Sequence, residues 1–264
     1  MIEPSPALLP FVDGYLHVRD LAGDHRGRPI RTAPRPGGVL TVNLGQPNRT
    51  ADGAATPRLS LLGIQTCARS WRSDANTHFV MALLTPAGLV RFASGSGADT
   101  ADTLLDLRSV IGERTAHGLV DTVHARLDGL VAAFDAWLLA RLCGERERPE
   151  MHTARAACMV LSRATRVDVA ADQLGVSRRH LSRIVSRHLG ISSKALIDLY
   201  RLDRSLRALQ RGQSNGAAGF ADQAHQVREW RRRLATTPGR YAREGRSALA
   251  DAFGAAADRP AFYL

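Results

Sequence analysis

The sequence predicts an α+β protein: an N-terminal, mostly antiparallel β-domain with a closing helical segment, then an all-α C-terminal domain. Three observations predict it. Short extended runs separated by turn residues fill the chain up to Phe92; apolar spacing then switches to three and four residues; and near the C-terminus a glycine separates two short helical runs of which the second is strongly basic.

The extended runs are 11–18, 38–44, 59–66 and 79–84, rich in Val, Leu, Ile or aromatic residues and bounded by Gly, Pro, Asn or Asp. Pro86, Ala87 and Gly88 read as a turn after the last of them. Residues 102–112 are expected to be helical. A long amphipathic helix is expected over 117–142, where Leu119, Val123, Leu127, Leu130, Val131, Phe134, Leu138 and Leu142 recur at helical intervals. The charged stretch 144–151 interrupts that period, and Pro149 disfavours helix just before it, so the domain boundary is placed there. Residues 1–145 are the expected β-rich domain, 151–246 the helical one, and 247–264 an Ala-rich tail expected to form a frayed helix or pack loosely.

At 264 residues and 44% hydrophobic content the chain can bury cores, and no apolar run approaches the roughly 20 residues that cross a bilayer. With no secretory leader pattern, a cytoplasmic location is expected, with no membrane partner. Cys67, Cys143 and Cys158 are far apart and in no ligand spacing; they are expected to be reduced and mostly buried. His17, His25 and His78 lack the companions of a metal site, so surface or hydrogen-bonded roles are expected, and no cofactor is expected.

The net charge of +11 is not spread evenly. Residues 151–246 hold 19 Lys+Arg against 7 Asp+Glu, whereas the remainder holds 17 against 18. A basic domain beside a neutral one suggests a polyanion partner, because it gains affinity by displacing condensed counterions.

Val167, Ala170, Ala171 and Leu174 share one face of a two-turn helix. Gly175 ends it, suiting a corner that needs positive φ, and Ser177 is a good N-cap for a second helix. That helix places Leu181, Ile184, Val185 and Leu189 inward. Arg178, Arg179, Ser182, Arg183, Ser186 and Arg187 take the other faces. A short helix, a tight turn and a basic second helix form the shape that enters a major groove, where Arg grips guanine O6 and N7 or clamps a phosphate.

The words LGVS, RHLSR and LGIS between Val167 and Gly190, then Arg201 and Leu202, GFADQAH and TTPGRYAR, resemble the DNA-binding domain of AraC/XylS-type regulators over nearly all of 151–243. The resemblance implies two helix-turn-helix units joined by a helix, here about 193–211, with Leu196, Tyr200, Leu206 and Leu209 available for packing and Gly212 as its stop. Carried over by position, it implies groove-facing roles for Arg179, Ser182 and Arg183 in the first unit and for Gln223, Ala224, Val227 and Arg228 in the second. Arg178, Arg187 and Arg232 are further DNA-binding candidates as basic residues of the same two helices. Double-stranded DNA is the implied partner; RNA polymerase, a small-molecule effector at the N-terminal domain and a second copy of the chain are further candidates. The N-terminal domain itself resembles, more weakly, sensor domains attached to such regulators, through PFVDGYLHVR, Pro86-Ala87-Gly88 and the helical segment 104–142.

The second unit departs from the pattern. Only Asn215, Gly216, Ala217 and Ala218 separate Ser214 from Gly219, about half the family's length, so the helix bracing the second recognition helix lacks about one turn. Gln226 stands where the family buries an apolar residue, and Val227 where it presents a small polar one; a register shift would exchange them. Phe220, Trp230, Leu234 and Tyr241 still offer a core, so the first unit is expected to dominate base reading, with Arg228, Arg231, Arg232 and Arg233 adding electrostatic grip. Two alternatives stand beside this reading. One is an interaction protein with impaired DNA specificity that acts through another regulator. The other is an alkyl-transfer repair enzyme, which needs a stabilised thiolate, but Cys67 in QTCARSW has no ligand cysteines around it. No enzymatic activity is expected.

Overall fold

A computed structural model of the chain describes residues 1–93, 100–144, 146–213, 219–244 and 264. Five strands pair antiparallel in the order β1 (Val12–Asp20), β7 (Thr77–Leu84), β3 (Val39–Asn43), β5 (Leu59–Leu62) and β8 (Leu104–Asp106). A second, three-stranded antiparallel sheet runs β2 (Pro29–Thr32), β6 (Arg69–Arg72), β4 (Arg49–Thr50).

The four expected strands are β1, β3, β5 and β7. β7 shows why they were legible: its side chains alternate between two buried faces. Val80, Ala82 and Leu84 join a core shared with the helices, while Phe79, Met81 and Leu83 join another with Ile30 and Trp71 of the small sheet. The five-stranded sheet is thus covered on both sides, and the expected α+β class is the one observed.

Elsewhere the order of elements differs from expectation. Pro86, Ala87 and Gly88 are not a turn but the first residues of α1 (Pro86–Phe92), which Thr85 caps by accepting from the Gly88 N–H at 3.0 Å, with Pro86 in the first turn where its missing donor costs nothing. The expected helix 102–112 is strand β8 followed by α2 (Leu107–Ile111), because residues 104–106 complete the edge of the sheet against β5. The long helix 117–142 is two helices, α3 (Glu113–His124) and α4 (Leu130–Gly144), joined by a 3-10 turn. Both bury their stripe in one core, through Leu119 and Val123 on one side of the break and Leu130, Phe134 and Leu138 on the other. Periodicity therefore runs on through a break it cannot register. Cys158 is buried, but Cys67 and Cys143 are exposed, so the thiols are not mostly buried as expected. Burial pushes the Cys158 thiol up to about 12. His17 and His78 meet across β1 and β7 with Nε2 atoms 3.1 Å apart, and His25 lies 3.3 Å from the Asp20 carboxylate.

The C-terminal helices are α5 (Pro149–Arg163), α6 (Val167–Gln173), α7 (Arg178–Leu189), α8 (Ser193–Gln210), α9 (Gln223–Leu234) and α10 (Pro238–Glu244). α5 begins inside the expected linker, with Pro149 in its first turn, and packs against α1. Among the described residues no helix is long and apolar enough to cross a membrane. The tail 247–264, apart from Leu264, and the shortened stretch 214–218 lie outside the described residues.

Candidate nucleic-acid interface

α6 buries Ala170 and Ala171 and ends at Gly175, whose φ of 63° supplies the left-handed corner. Ser177 then starts α7, its Oγ accepting from the His180 N–H at 3.2 Å. Leu181, Val185 and Leu189 turn inward. At 3.6 residues per turn this leaves an outer arc of Arg179, Arg183 and Ser186 flanked by Ser182 and Arg187. Arg178, Arg179, Arg183 and Arg187 are exposed and Ser182 is half-buried. Arg183 Nη2 lies 2.9 Å from His180 Nδ1 one turn back, a contact that steadies the guanidinium while leaving it exposed.

Ser192 caps α8 by accepting from the Ala195 N–H at 3.1 Å, and the helix buries Leu196, Ile197, Leu199, Leu202 and Leu206 before stopping at Gly212, φ 73°. Tyr200 and Leu209, expected in the core with Leu196 and Leu206, are half-buried. Asp222 caps α9, accepting from the His225 N–H at 2.6 Å. Under α9, Trp230, Leu234 and Tyr241 form the expected core with Leu202 and Leu206, while Phe220 is half-buried.

Residues 170–244 match the family described as helix-turn-helix domain. The match runs from within α6 to the end of α10. No curated protein matches the chain. Among solved structures, ToxT from Vibrio cholerae O395 aligns at 14% identity over 86% of this chain and 96% of its own, with a TM-score of 0.43. Unsaturated fatty acid bound wild-type ToxT from Vibrio cholerae strain SCE256 aligns at 14% over 92% and 97%, TM-score 0.43. The AraC-like transcriptional activator CuxR aligns at 16% over 76% and 74%, TM-score 0.21.

Within the matched stretch, α9 repeats the layout of α7 forty-five positions on, so Ala224, Val227 and Arg228 occupy the places of Arg179, Ser182 and Arg183. Gln223, Ala224, Arg228 and Arg232 are exposed and Val227 is half-buried. Gln226 is 4% exposed and donates Nε2 to Ser205 Oγ at 3.0 Å. There is thus no register shift: the amide fills the apolar slot and α8 supplies its partner.

Arg232 and Arg233 do not act alike. Both bind Glu229, at 2.7 and 3.0 Å, and although burial alone would raise it, their hydrogen bonds hold the Glu229 carboxyl below its ordinary range. Arg232 is exposed. Arg233 points inward, 6% exposed, and donates to the Thr66 carbonyl at 2.9 Å, so it leaves the cationic cluster in which sequence reasoning placed it. Arg231, by contrast, is exposed on the outer arc where α7 has Ser186.

Sequence reasoning also missed what the far end of α9 touches. Three of its last four carbonyls are met by the N-terminal β-region: Arg232 O by the Cys67 thiol at 3.9 Å, Arg233 O by the Ala68 N–H at 2.7 Å and Leu234 O by Arg31 Nη2 at 2.8 Å. The fourth, Arg231 O, accepts from Ala235 N–H. The alternation of β2, with Ile30 and Thr32 buried and Arg31 exposed, was the available signal, but Pro29 and the two flanking arginines obscured the strand.

Proposed function

We propose that the protein is a sequence-specific regulator of transcription that binds duplex DNA, with α7 as its principal base reader. The reading is carried by the outer arc of α7, where Arg179 and Arg183 stand solvent-facing, with Ser182 half-buried at its edge, on the second helix of a helix-turn-helix. Guanidinium groups so placed suit the O6 and N7 edge of guanine, and the exposed Arg178 at the start of α7 and Arg187 at the flank suit phosphates. In α9 the equivalent arc presents Ala224, Val227 and Arg228, with Gln223 and Arg232 beside them, which supports non-specific grip more than base reading.

In this reading residues 151–246 are the DNA-binding domain, 1–145 an effector-sensing or dimerisation domain and 247–264 a tail. The protein acts in the cytoplasm, with a small-molecule effector, a second copy and RNA polymerase as its further partners. The test is recovery of genomic fragments bound by the full-length protein, followed by titration of a recovered site at several salt concentrations. Affinity that falls linearly with the logarithm of salt is expected, the slope counting phosphates neutralised. Arg179→Glu with Arg183→Glu should abolish selection of a common site; an unchanged common site would overturn the assignment to α7.

A further inference from the structure

The N-terminal β-region holds a cavity of about 70 Å³ between its two sheets. Phe79 and Met81 line it from the five-stranded sheet, and Ile30, Thr32 and Trp71 from the three-stranded one. No charged side chain lines it among the described residues. Two amide oxygens, Asn43 Oδ1 and Asn48 Oδ1, are buried at its wall with no hydrogen-bond partner among the described residues, and Asn43 is only 5% exposed. Hydroxyl side chains of Thr32, Thr41, Thr56 and Ser60 also line the wall, yet neither amide oxygen is paired with them, and a buried acceptor left unpaired calls for a donor from outside the chain.

We propose that this cavity binds a small uncharged molecule with an apolar body and a hydrogen-bond-donating end, of the alcohol or primary-amide class, and that β2 passes its occupancy to α9. The apolar body packs on Trp71, Phe79 and Met81, and the donor meets Asn43. A carboxylate is disfavoured, since it would shed its hydration with no cation in the lining to meet its charge. The size sets a limit as well: a chamber this small admits a few heavy atoms, or the end of a longer molecule.

The transmission follows from strand alternation. Ile30 and Thr32 line the cavity, and Thr32 Oγ1 accepts from Trp71 Nε1 at 3.0 Å, so the strand is tied to the cavity wall. The intervening Arg31 holds the Leu234 carbonyl at the end of α9, and Ala33 packs with Leu202, Leu206, Trp230 and Leu234. What displaces one face of β2 displaces the other. This inference rests on the effector-sensing reading of the N-terminal region and not on DNA binding.

The experiment uses the full-length protein with ¹⁵N-labelled indoles. The chain has three tryptophans: Trp71 in the cavity wall, Trp230 beneath α9, and Trp137 beside Phe134 in the opposite core. The probes are isobutyramide, isobutanol and isobutyrate. Saturable shifts of the Trp71 signal are expected with the amide and the alcohol, and binding at least about tenfold weaker with the carboxylate. Trp230 should move with the same midpoint while Trp137 stays. Asn43→Leu should weaken isobutyramide about tenfold with the Trp137 and Trp230 signals in place; should that variant fail to fold, Asn48→Ala serves the same purpose. No saturable Trp71 shift with either neutral probe, or isobutyrate binding as well as isobutyramide, overturns the site. A Trp71 shift without a Trp230 shift overturns the coupling. No DNA is present in the measurement, so failure of the DNA-binding reading would appear in the operator titration and leave this result standing.

Discussion

Arg31 of β2 donates to the carbonyl of Leu234, the last residue of α9, at 2.8 Å, across more than two hundred residues of chain. A helix C-terminus leaves carbonyls without intrahelical partners. In α9 the N-terminal β-region supplies donors to three of the last four carbonyls, and the helix's own cap at Ala235 serves only the fourth. Arg31→Ala should therefore cost about 0.5–1.5 kcal/mol, the worth of one such bond, and should speed amide exchange in the last turn of α9 while that of α7 is unchanged. Denaturant unfolding and hydrogen exchange measure the two effects. Unchanged exchange at 231–235 would mean that the contact does not order the helix.

Ser205 gives a second prediction. Its Oγ, 1% exposed, accepts from both Gln226 Nε2 and Trp230 Nε1 at 3.0 Å. Ser205→Ala strands two buried donors and should cost about 1–3 kcal/mol. Adding Gln226→Leu removes one stranded donor and places an apolar side chain in the slot, so the double variant should recover part of the loss. Unfolding midpoints of the two variants decide it; a further fall in the double variant would sink the account.

These two contacts mark where the sequence stops being readable. The helices of the first unit were legible because their boundaries are chemical: Gly175 at positive φ, Ser177 as a cap, and a stripe of Leu181, Val185 and Leu189. Exposure of Arg179 and Arg183 follows from that stripe. Gln226 was legible as an anomaly but not as a solution, since its partner Ser205 lies on another helix. Arg233 looked like any other arginine of the run 231–233; only the approach of Thr66 turns it inward. The small sheet was missed for a local reason: β2 holds Arg31 beside Pro29, β6 has Arg69 and Arg72 at its two ends, and each is only four residues long. The 3-10 break before Leu130 was missed because helices on both sides bury into one core.

Acid should weaken the fold through the strand pair of histidines. Burial, and next Arg19, holds the His17 imidazole below its ordinary range; burial, then His17 and Arg19, does the same for His78. Both groups bind protons more readily in the unfolded chain, so their contribution to stability is fully present above the ordinary value of 6.5 and is lost as pH falls through the lower folded-state values. Denaturant midpoints between about pH 7.5 and 5 should fall further for the wild type than for His17→Asn with His78→Gln. Parallel falls in the two proteins would show that the pair does not carry this dependence.

The last prediction separates the two recognition surfaces. Arg183 and Arg228 occupy equivalent places on α7 and α9, but Arg183 has Arg179 and Ser182 beside it, whereas Arg228 has Ala224 and Val227. Base reading needs several hydrogen-bonding groups held to within about an ångström, because a bidentate pair on guanine tolerates little misplacement; attraction to phosphate needs only charge nearby. Arg183→Ala should therefore cost about 1–3 kcal/mol at the selected site and relax preference at one base position. Arg228→Ala should weaken binding nearly uniformly across sequences and lower the salt slope by about one phosphate. Selection from a randomised duplex long enough for two major-groove segments, run with both variants, measures the difference. A strong base preference lost only with Arg228→Ala would show that α9 reads sequence despite its apolar arc, and a uniform loss with Arg183→Ala would move that residue from the bases to the backbone.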